Sequence, residues 1–183
     1  MMKKAIVFVL ILLFSPVSIS AQGIALYKDF ERTATSVQDV EVGGIVTVFL
    51  FVQPTVLGVE CIELNSYTTG DGLYVVDDYD AHPESYLITG GFPDSDLWGC
   101  WYDCHYDWTY FCCATLVLQS VEPFCINLRG FQGPPAQALP RGFDCGDDWF
   151  YYFPQCNFCV NQLSECEVAV EESSWGAIKS LYE

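Results

Sequence analysis

The chain has 183 residues, of which 24 are acidic, 7 are basic and 10 are cysteines. Its formal net charge of −17 at pH 7 argues against nucleic acid or an anionic lipid surface as a partner, because both are themselves negative. The length is sufficient for one domain with a substantial core and is short for two.

The N-terminal residues have the pattern of a secretory signal peptide. Lys3 and Lys4 precede an apolar run at 5–14, and small residues follow it up to Ala21. The run has ten residues, whereas a helix that spans a membrane needs about 20. We therefore predict a signal peptide at 1–21, with no membrane insertion after its cleavage. The mature chain would be exported and would be periplasmic, cell-surface or extracellular.

Short apolar runs between turn residues follow the signal peptide. The strongest strand signal is 45–52, whose β-branched and aromatic residues lie between a Gly-Gly pair and a proline. Both faces of this segment are apolar, which predicts a central strand covered on each side. At 59–64, Ile62 and Leu64 alternate with Cys61 and Glu63. Further strands are predicted at 23–27, 73–76, 86–89, 108–118, 124–128 and 149–153.

Many short strands at this spacing, with almost no helical periodicity, predict an all-β sandwich. We assign the sandwich to 22–170, with a long loop at 130–142. Residues 171–183 differ, because apolar side chains recur there at helical spacing after two serines that can cap a helix. They predict a short C-terminal amphipathic helix or tail, which packs on the sandwich or docks on a partner through Trp175, Ile178, Leu181 and Tyr182.

All ten cysteines follow the predicted signal peptide, and an even number in an exported chain predicts up to five disulfides. Spacing alone does not give the pairing. Cys112 and Cys113 are neighbours on a predicted strand, so they should point to opposite faces and bridge to different partners, with Cys61 a candidate for one of them. Cys100 and Cys104 could close a small loop. The predicted disulfide cysteines are Cys61, Cys100, Cys104, Cys112, Cys113, Cys125, Cys145, Cys156, Cys159 and Cys166.

Cys156 and Cys159 have a C-x-x-C spacing, which also occurs in zinc and redox sites. Zinc would need further ligands, for which Cys145, Cys104 and His105 are candidates. A redox pair would need its first cysteine at the start of a helix. The strand-like aromatic flanks and the oxidising compartment favour disulfides instead.

Asp77, Asp78 and Asp80 form an acidic cluster after the predicted strand at 73–76. Calcium takes about six to eight oxygen ligands from loops of this kind, so these three residues are candidate calcium ligands. No segment has the spacing of an EF-hand loop, and a solvated acidic loop is the alternative. We predict no other cofactor.

The sequence offers little for catalysis. It has two histidines, His82 and His105, and lacks a G-x-S-x-G elbow, a glycine-rich phosphate loop and an H-E-x-x-H motif. We therefore predict that the protein is not an enzyme. Aromatic residues make up 16% of the chain, and a dense group of them could bind sugars or a protein, or fill the core; it comprises Trp98, Trp101, Tyr102, Tyr106, Trp108 and Tyr110.

Segments near both ends of the chain resemble exported bacterial proteins that are uncharacterised. The opening resemblance is carried by GIALY at 23–27, VEVGG at 40–44, VTVFL at 46–50 and GVEC at 58–61. The closing one is carried by CEVAVE at 166–171 and SWGAIKSLY at 174–182. The resemblance implies a cohesin-like or immunoglobulin-like β-sandwich and supplies no catalytic residues. The cysteine-rich middle, 100–125, departs from that pattern.

These observations lead to a hypothesis of a non-catalytic, secreted or cell-surface interaction or structural module. Its partner would be a protein or a polysaccharide. A calcium-supported carbohydrate-binding module is the alternative. A secreted hydrolase with a pair of carboxylates is the third hypothesis.

Overall fold

The computed structural model describes residues 23–90, 92–133 and 136–166. The predicted signal peptide and the predicted C-terminal helix therefore lie outside the described residues. Within the described ranges no helix is long and apolar enough to cross a membrane. The strands there are β1 (Gly23–Tyr27), β2 (Ser36–Val37), β3 (Ile45–Gln53), β4 (Val59–Gly70), β5 (Tyr74–Ala81), β6 (Ser85–Gly90), β7 (Asp96–His105), β8 (Thr109–Leu118), β9 (Phe124–Arg129), β10 (Arg141–Phe143), β11 (Trp149–Tyr151), β12 (Phe153–Cys156) and β13 (Phe158–Val160).

The strands form two sheets. The five-stranded sheet has the order β12-β1-β3-β8-β5, in which β1 and β12 are parallel and the other pairs are antiparallel. The eight-stranded sheet follows the path β11-β10-β4-β9-β13-β2, and β7 pairs with β4 and with β6. The long strand β4 is the centre of this sheet, because it pairs with β7, β9 and β10.

The core lies between the two sheets. Val48 and Leu50 of β3 belong to the same buried cluster as Ile62 and Leu64 of β4. The rings of Trp101 in β7 and Phe111 in β8 are edge to face, with their centroids 4.7 Å apart, and so connect the two sheets. These contacts confirm the predicted all-β sandwich.

The strongest predicted strand is central, as expected, since β3 lies between β1 and β8. Its outer face is covered at only one end. Phe51 is 5% exposed, whereas Ile45 at the other end is 68% exposed. The prediction of cover on each side is therefore wrong for the first half of the strand, because no described element packs over Ile45 and its neighbours.

Candidate interaction faces

Strand alternation places a set of polar and aromatic side chains on the outer face of the eight-stranded sheet. Ile62 and Leu64 of β4 point into the core, so Glu63, Asn65 and Tyr67 point outward. The register continues this face across neighbouring strands. We call it the polar–aromatic face; it comprises Glu63, Asn65, Tyr67, Tyr86, Asp96, Trp98, Tyr102, Arg129, Arg141, Trp149 and Tyr151.

Arg129 is held in place on this face by two neighbours. Its guanidinium lies 4.5 Å from the ring centroid of Tyr67, and its Nε donates a hydrogen bond of 2.7 Å to Oδ1 of Asn65. Asn65 in turn donates from Nδ2 to Oδ1 of Asp96 at 3.0 Å. The row Asp96–Asn65–Arg129 therefore crosses three strands and fixes the orientation of the arginine before any partner binds.

Arg141 occupies a second row. Its Nε donates to the carboxylate of Glu63, and its guanidinium lies 4.1 Å from the ring centroid of Trp149. Glu63 is buried at 8% exposure, so the charge of Arg141 has a fixed counter-ion. Trp98 pairs with Glu63 from the other side, on β7. Trp149 is 47% exposed and offers its ring to a partner.

Two disulfides brace the polar–aromatic face. Cys61 and Cys100 are opposite each other in the β4–β7 pair, and Cys125 and Cys159 are opposite each other in the β9–β13 pair. This pairing corrects two expectations. Cys61 does not bridge to Cys112 or Cys113, and Cys100 does not bridge to Cys104, because the strand register sets its partner.

The other two disulfides fix loops. Cys104, at the end of β7, is bonded to Cys145 after β10, and Cys156 is bonded to Cys166. The two cysteines of the C-x-x-C motif therefore have separate partners, which removes both the redox pair and a zinc site at Cys145, Cys156 and Cys159. The described residues hold no group of three or more His, Cys, Asp or Glu side chains arranged to bind a metal.

Cys112 and Cys113 are free thiols, contrary to the prediction that they form disulfides. They do point to opposite faces of β8, as predicted. Cys112 is fully buried, and burial raises the pKa of its thiol to about 12. Cys113 is half-buried on the outer face of the five-stranded sheet, where the hydroxyl of Tyr110 donates to its Sγ at 3.3 Å. The strand register places Cys113 between Phe49 and Asp80. Neither residue is a cysteine, so neither can form a disulfide with it.

The outer face of the five-stranded sheet carries an aromatic cluster. Phe30, in the loop after β1, lies over it, with ring centroids 4.7 Å from Phe49 and 5.1 Å from Tyr110. The guanidinium of Arg32 lies 5.0 Å from the ring centroid of Trp108. The cluster consists of Tyr27, Phe30, Phe49, Phe51, Trp108 and Tyr110.

The predicted aromatic group is divided among several environments. Trp101 is in the core, Trp98 and Tyr102 are on the polar–aromatic face, and Trp108 and Tyr110 belong to the aromatic cluster. Tyr106 lies at one end of the sandwich, beside a groove of about 180 Å³ that Gln53, Asp107 and Trp108 also line. The fold therefore does not bring the six rings together as one patch.

The three candidate calcium ligands lie along a strand and not in a loop. Asp77, Asp78 and Asp80 belong to β5, which is the edge strand of the five-stranded sheet. Asp77 sits at a β-bulge, while Asp78 and Asp80 are opposite Thr115 and Cys113 on the outer face. The geometry does not support the predicted calcium site. Charges and a bulge on an edge strand instead hinder its pairing with another chain.

The two histidines lie together near the edge of the sandwich. The ring centroids of His82 and His105 are 5.9 Å apart, and Nε2 of His105 is 4.0 Å from the Glu84 carboxylate. Burial, and secondarily His82, lower the pKa of His105. The hydroxyl of Thr109 is 3.5 Å from Nδ1 of His105, and Thr109 is itself buried.

Comparison with known proteins identifies solved structures that have a similar fold. No protein-family model and no curated protein match the chain. The cohesin module of a family 33 glycoside hydrolase from Clostridium perfringens is similar, with a TM-score of 0.54 and 7% identity over 77% of this chain and 97% of that one.

Two further structures are similar in the same way. A chain of a type I cohesin–dockerin complex from Clostridium thermocellum has a TM-score of 0.52 and 8% identity over 76% of this chain and 97% of its own. A non-cellulosomal cohesin from the archaeon Archaeoglobus fulgidus has a TM-score of 0.50 and 12% identity over 82% and 97%. The chain therefore has the fold of a cohesin-like β-sandwich.

Proposed function

We propose that the chain is a non-catalytic, exported docking module that binds a protein partner through the polar–aromatic face. The observation that carries the proposal is the composition of that face. Tyrosine, tryptophan and arginine dominate the energetics of protein interfaces, and here two arginines are already held against aromatic rings. Pre-ordered side chains lose little entropy when a partner binds.

The similar structures and the disulfides support this proposal. Some of the similar chains come from complexes between a cohesin and a dockerin, which are protein–protein complexes. Four disulfides suit an oxidising compartment, and with the predicted signal peptide they support a periplasmic, cell-surface or extracellular location.

The first test is whether the immobilised chain retains any exported protein of its source organism. A retained protein would be made separately, and its affinity measured by calorimetry. Arg129→Ala or Trp149→Ala should weaken binding by about 30-fold, since the loss of an interface hot spot costs about 2 kcal/mol.

Phe30→Ala, on the opposite sheet, is the matched control and should leave the affinity within about twofold, because interface energy concentrates in a few contacting residues. The proposal fails if Phe30→Ala weakens binding and the two face variants do not. It also fails if no protein binds with micromolar or better affinity.

A carbohydrate-binding module remains the second candidate, and one observation favours it. The groove at the end of the sandwich combines the rings of Tyr106 and Trp108 with the polar side chains of Gln53 and Asp107. A ring face with nearby hydrogen-bonding groups suits one sugar unit. Retention on polysaccharide beads that Tyr106→Ala abolishes and Arg129→Ala preserves would establish this function in place of the first.

A further inference from the structure

The edge strand β5 has two unlike halves. Its second half carries Asp77, Asp78 and Asp80, and a β-bulge follows Val76. Charges and bulges of this kind protect an edge strand from pairing with another chain. The first half, taken with the residue before it as 73–76, contains no charge, no proline and no bulge. This half of the edge is therefore unprotected.

The free side of this edge presents backbone groups that an extended chain can pair. The N–H of Gln119 donates to the carbonyl of Leu73 at 2.7 Å, so the backbone of Leu73 faces β8. The direction alternates along an antiparallel pair, so Val75 also faces β8, whereas Tyr74 and Val76 face away. Among the described strands, only β8 pairs with β5. Tyr74 and Val76 therefore each present one N–H and one C=O to an incoming strand.

The side chains of the same half are apolar and exposed. Leu73 is 64% exposed, Val75 54% and Val76 41%. Val75 begins a row across the outer face of the five-stranded sheet, because it is opposite Val117, which is opposite Ile45. An incoming strand with an apolar side chain beside Val75 would lengthen this row and bury part of its surface.

The aspartates select the charge of the incoming strand. Asp78 and Asp80 are exposed on the outer face, directly after the unprotected half. In an antiparallel pair, the N-terminal half of the incoming strand lies beside them and its C-terminal half lies beside 73–76. Opposite charges across a strand pair stabilise it, and like charges destabilise it. A second copy of this chain, with its net charge of −17, would bring its own aspartates to this edge and is disfavoured.

We propose that the first half of β5 receives an extended strand of a separate protein, which pairs with it antiparallel and carries Lys or Arg ahead of alternating apolar residues. The strand adds to the five-stranded sheet through backbone hydrogen bonds at Tyr74 and Val76. Its basic side chains lie beside Asp78 and Asp80. This edge does not depend on the polar–aromatic face, which lies on the other sheet.

A synthetic peptide as long as the 8 residues of β5 tests the proposal. Lysine and threonine alternate in its first half, valine and threonine alternate in its second half, and a fluorescein label reports binding to the full chain by anisotropy. We expect saturable binding. Two further peptides are N-methylated at one or the other set of alternate backbone amides, so that every side chain is kept. One of them should bind at least tenfold more weakly, because its N–H groups facing β5 are lost, and the other should bind like the parent peptide.

Variants of the chain test the same contacts from the other side. Val76→Pro removes an outward N–H without removing a bond to β8, and it should weaken binding at least tenfold. Asp78→Asn combined with Asp80→Asn should weaken binding about tenfold at low salt. Arg129→Ala, on the other sheet, is the matched control and should leave the affinity within about twofold. Hydrogen exchange of the wild-type chain needs no variant, and the peptide should slow the exchange of the Tyr74 and Val76 amides.

Four results would overturn the proposal. The first is equal binding of the parent and both methylated peptides, which would show an ionic contact without strand pairing. The second is unchanged exchange of the Tyr74 and Val76 amides at saturating peptide. The third is equally tight binding of a peptide with glutamate in place of lysine, which would refute the charge of the partner. The fourth is self-association of the chain that Val76→Pro abolishes, which would identify a second copy as the occupant.

Discussion

Removal of the Cys125–Cys159 disulfide should destabilise the domain more than removal of Cys156–Cys166. The first closes a loop with a sequence separation of 34 and the second a loop of 10. Loop-closure entropy in the unfolded chain gives about 3.8 kcal/mol for the longer loop and about 2.7 kcal/mol for the shorter one. Cys159 is fully buried and Cys125 nearly so, which adds a packing loss to the larger value.

The assay is urea unfolding followed by tryptophan fluorescence, without reductant. Each disulfide is removed by replacing both cysteines with alanine, so that the remaining three bridges stay intact. The two variants serve as controls for each other, since each removes one bridge. The reasoning is refuted if the shorter loop costs more than the longer one, or if either variant loses less than about 1 kcal/mol.

Further outcomes are expected from the free thiols, the inter-sheet contact and the buried imidazole. Alkylation of the denatured, non-reduced chain should modify Cys112 and Cys113 only; four modified cysteines would contradict the disulfide pairing. Trp101→Ala should lower the free energy of unfolding by about 3–5 kcal/mol. Trp101→Phe should cost less, because it keeps a ring against Phe111 and removes an indole N–H that has no hydrogen-bond partner among the described residues; equal costs would contradict this. Since the pKa of His105 is lowered in the folded state, the unfolded chain binds its proton first. Thermal stability should therefore fall as the pH drops from about 7 towards the lowered pKa, and the unfolding temperature of His105→Phe should show a shallower decline.

Local sequence pattern was sufficient to predict the strands whose own residues favour extended structure. β1 has its predicted bounds, and β3, β8 and β9 differ from prediction by one residue at one end. Each is rich in β-branched and aromatic side chains and is bounded by turn residues. Such side chains fit a pleated, half-buried surface, so the local sequence is enough to locate these strands.

Strand β7 was not predicted, because its own residues do not favour a strand. It contains Asp96, Gly99 and Asp103, which are depleted in strands. Its stability comes from pairing with β4 and β6, including the Cys61–Cys100 bridge. The sequence likewise predicts a loop over the acidic part of β5, because aspartate is depleted in strands.

The polar–aromatic face was not predicted, although one signal for it exists. The alternation at 59–64 puts Glu63 opposite to Ile62 and Leu64, which indicates an outward position. The strand register that brings Glu63 beside Arg141, 78 positions away, cannot be read from the local sequence. The cysteine pairing depends on the same long-range register.

The parallel pairing of β1 with β12 has a mechanical consequence. A force that pulls the start of β1 away from the end of β12 acts along both strands, so their hydrogen bonds are loaded together in shear. If β1 gives way, the chain can lengthen only until the first disulfide, at Cys61, is reached. The releasable stretch, 23–60, would extend by roughly 130 Å at most. The four bridges beyond it, of which the last three overlap in sequence, hold most of the sandwich together under load.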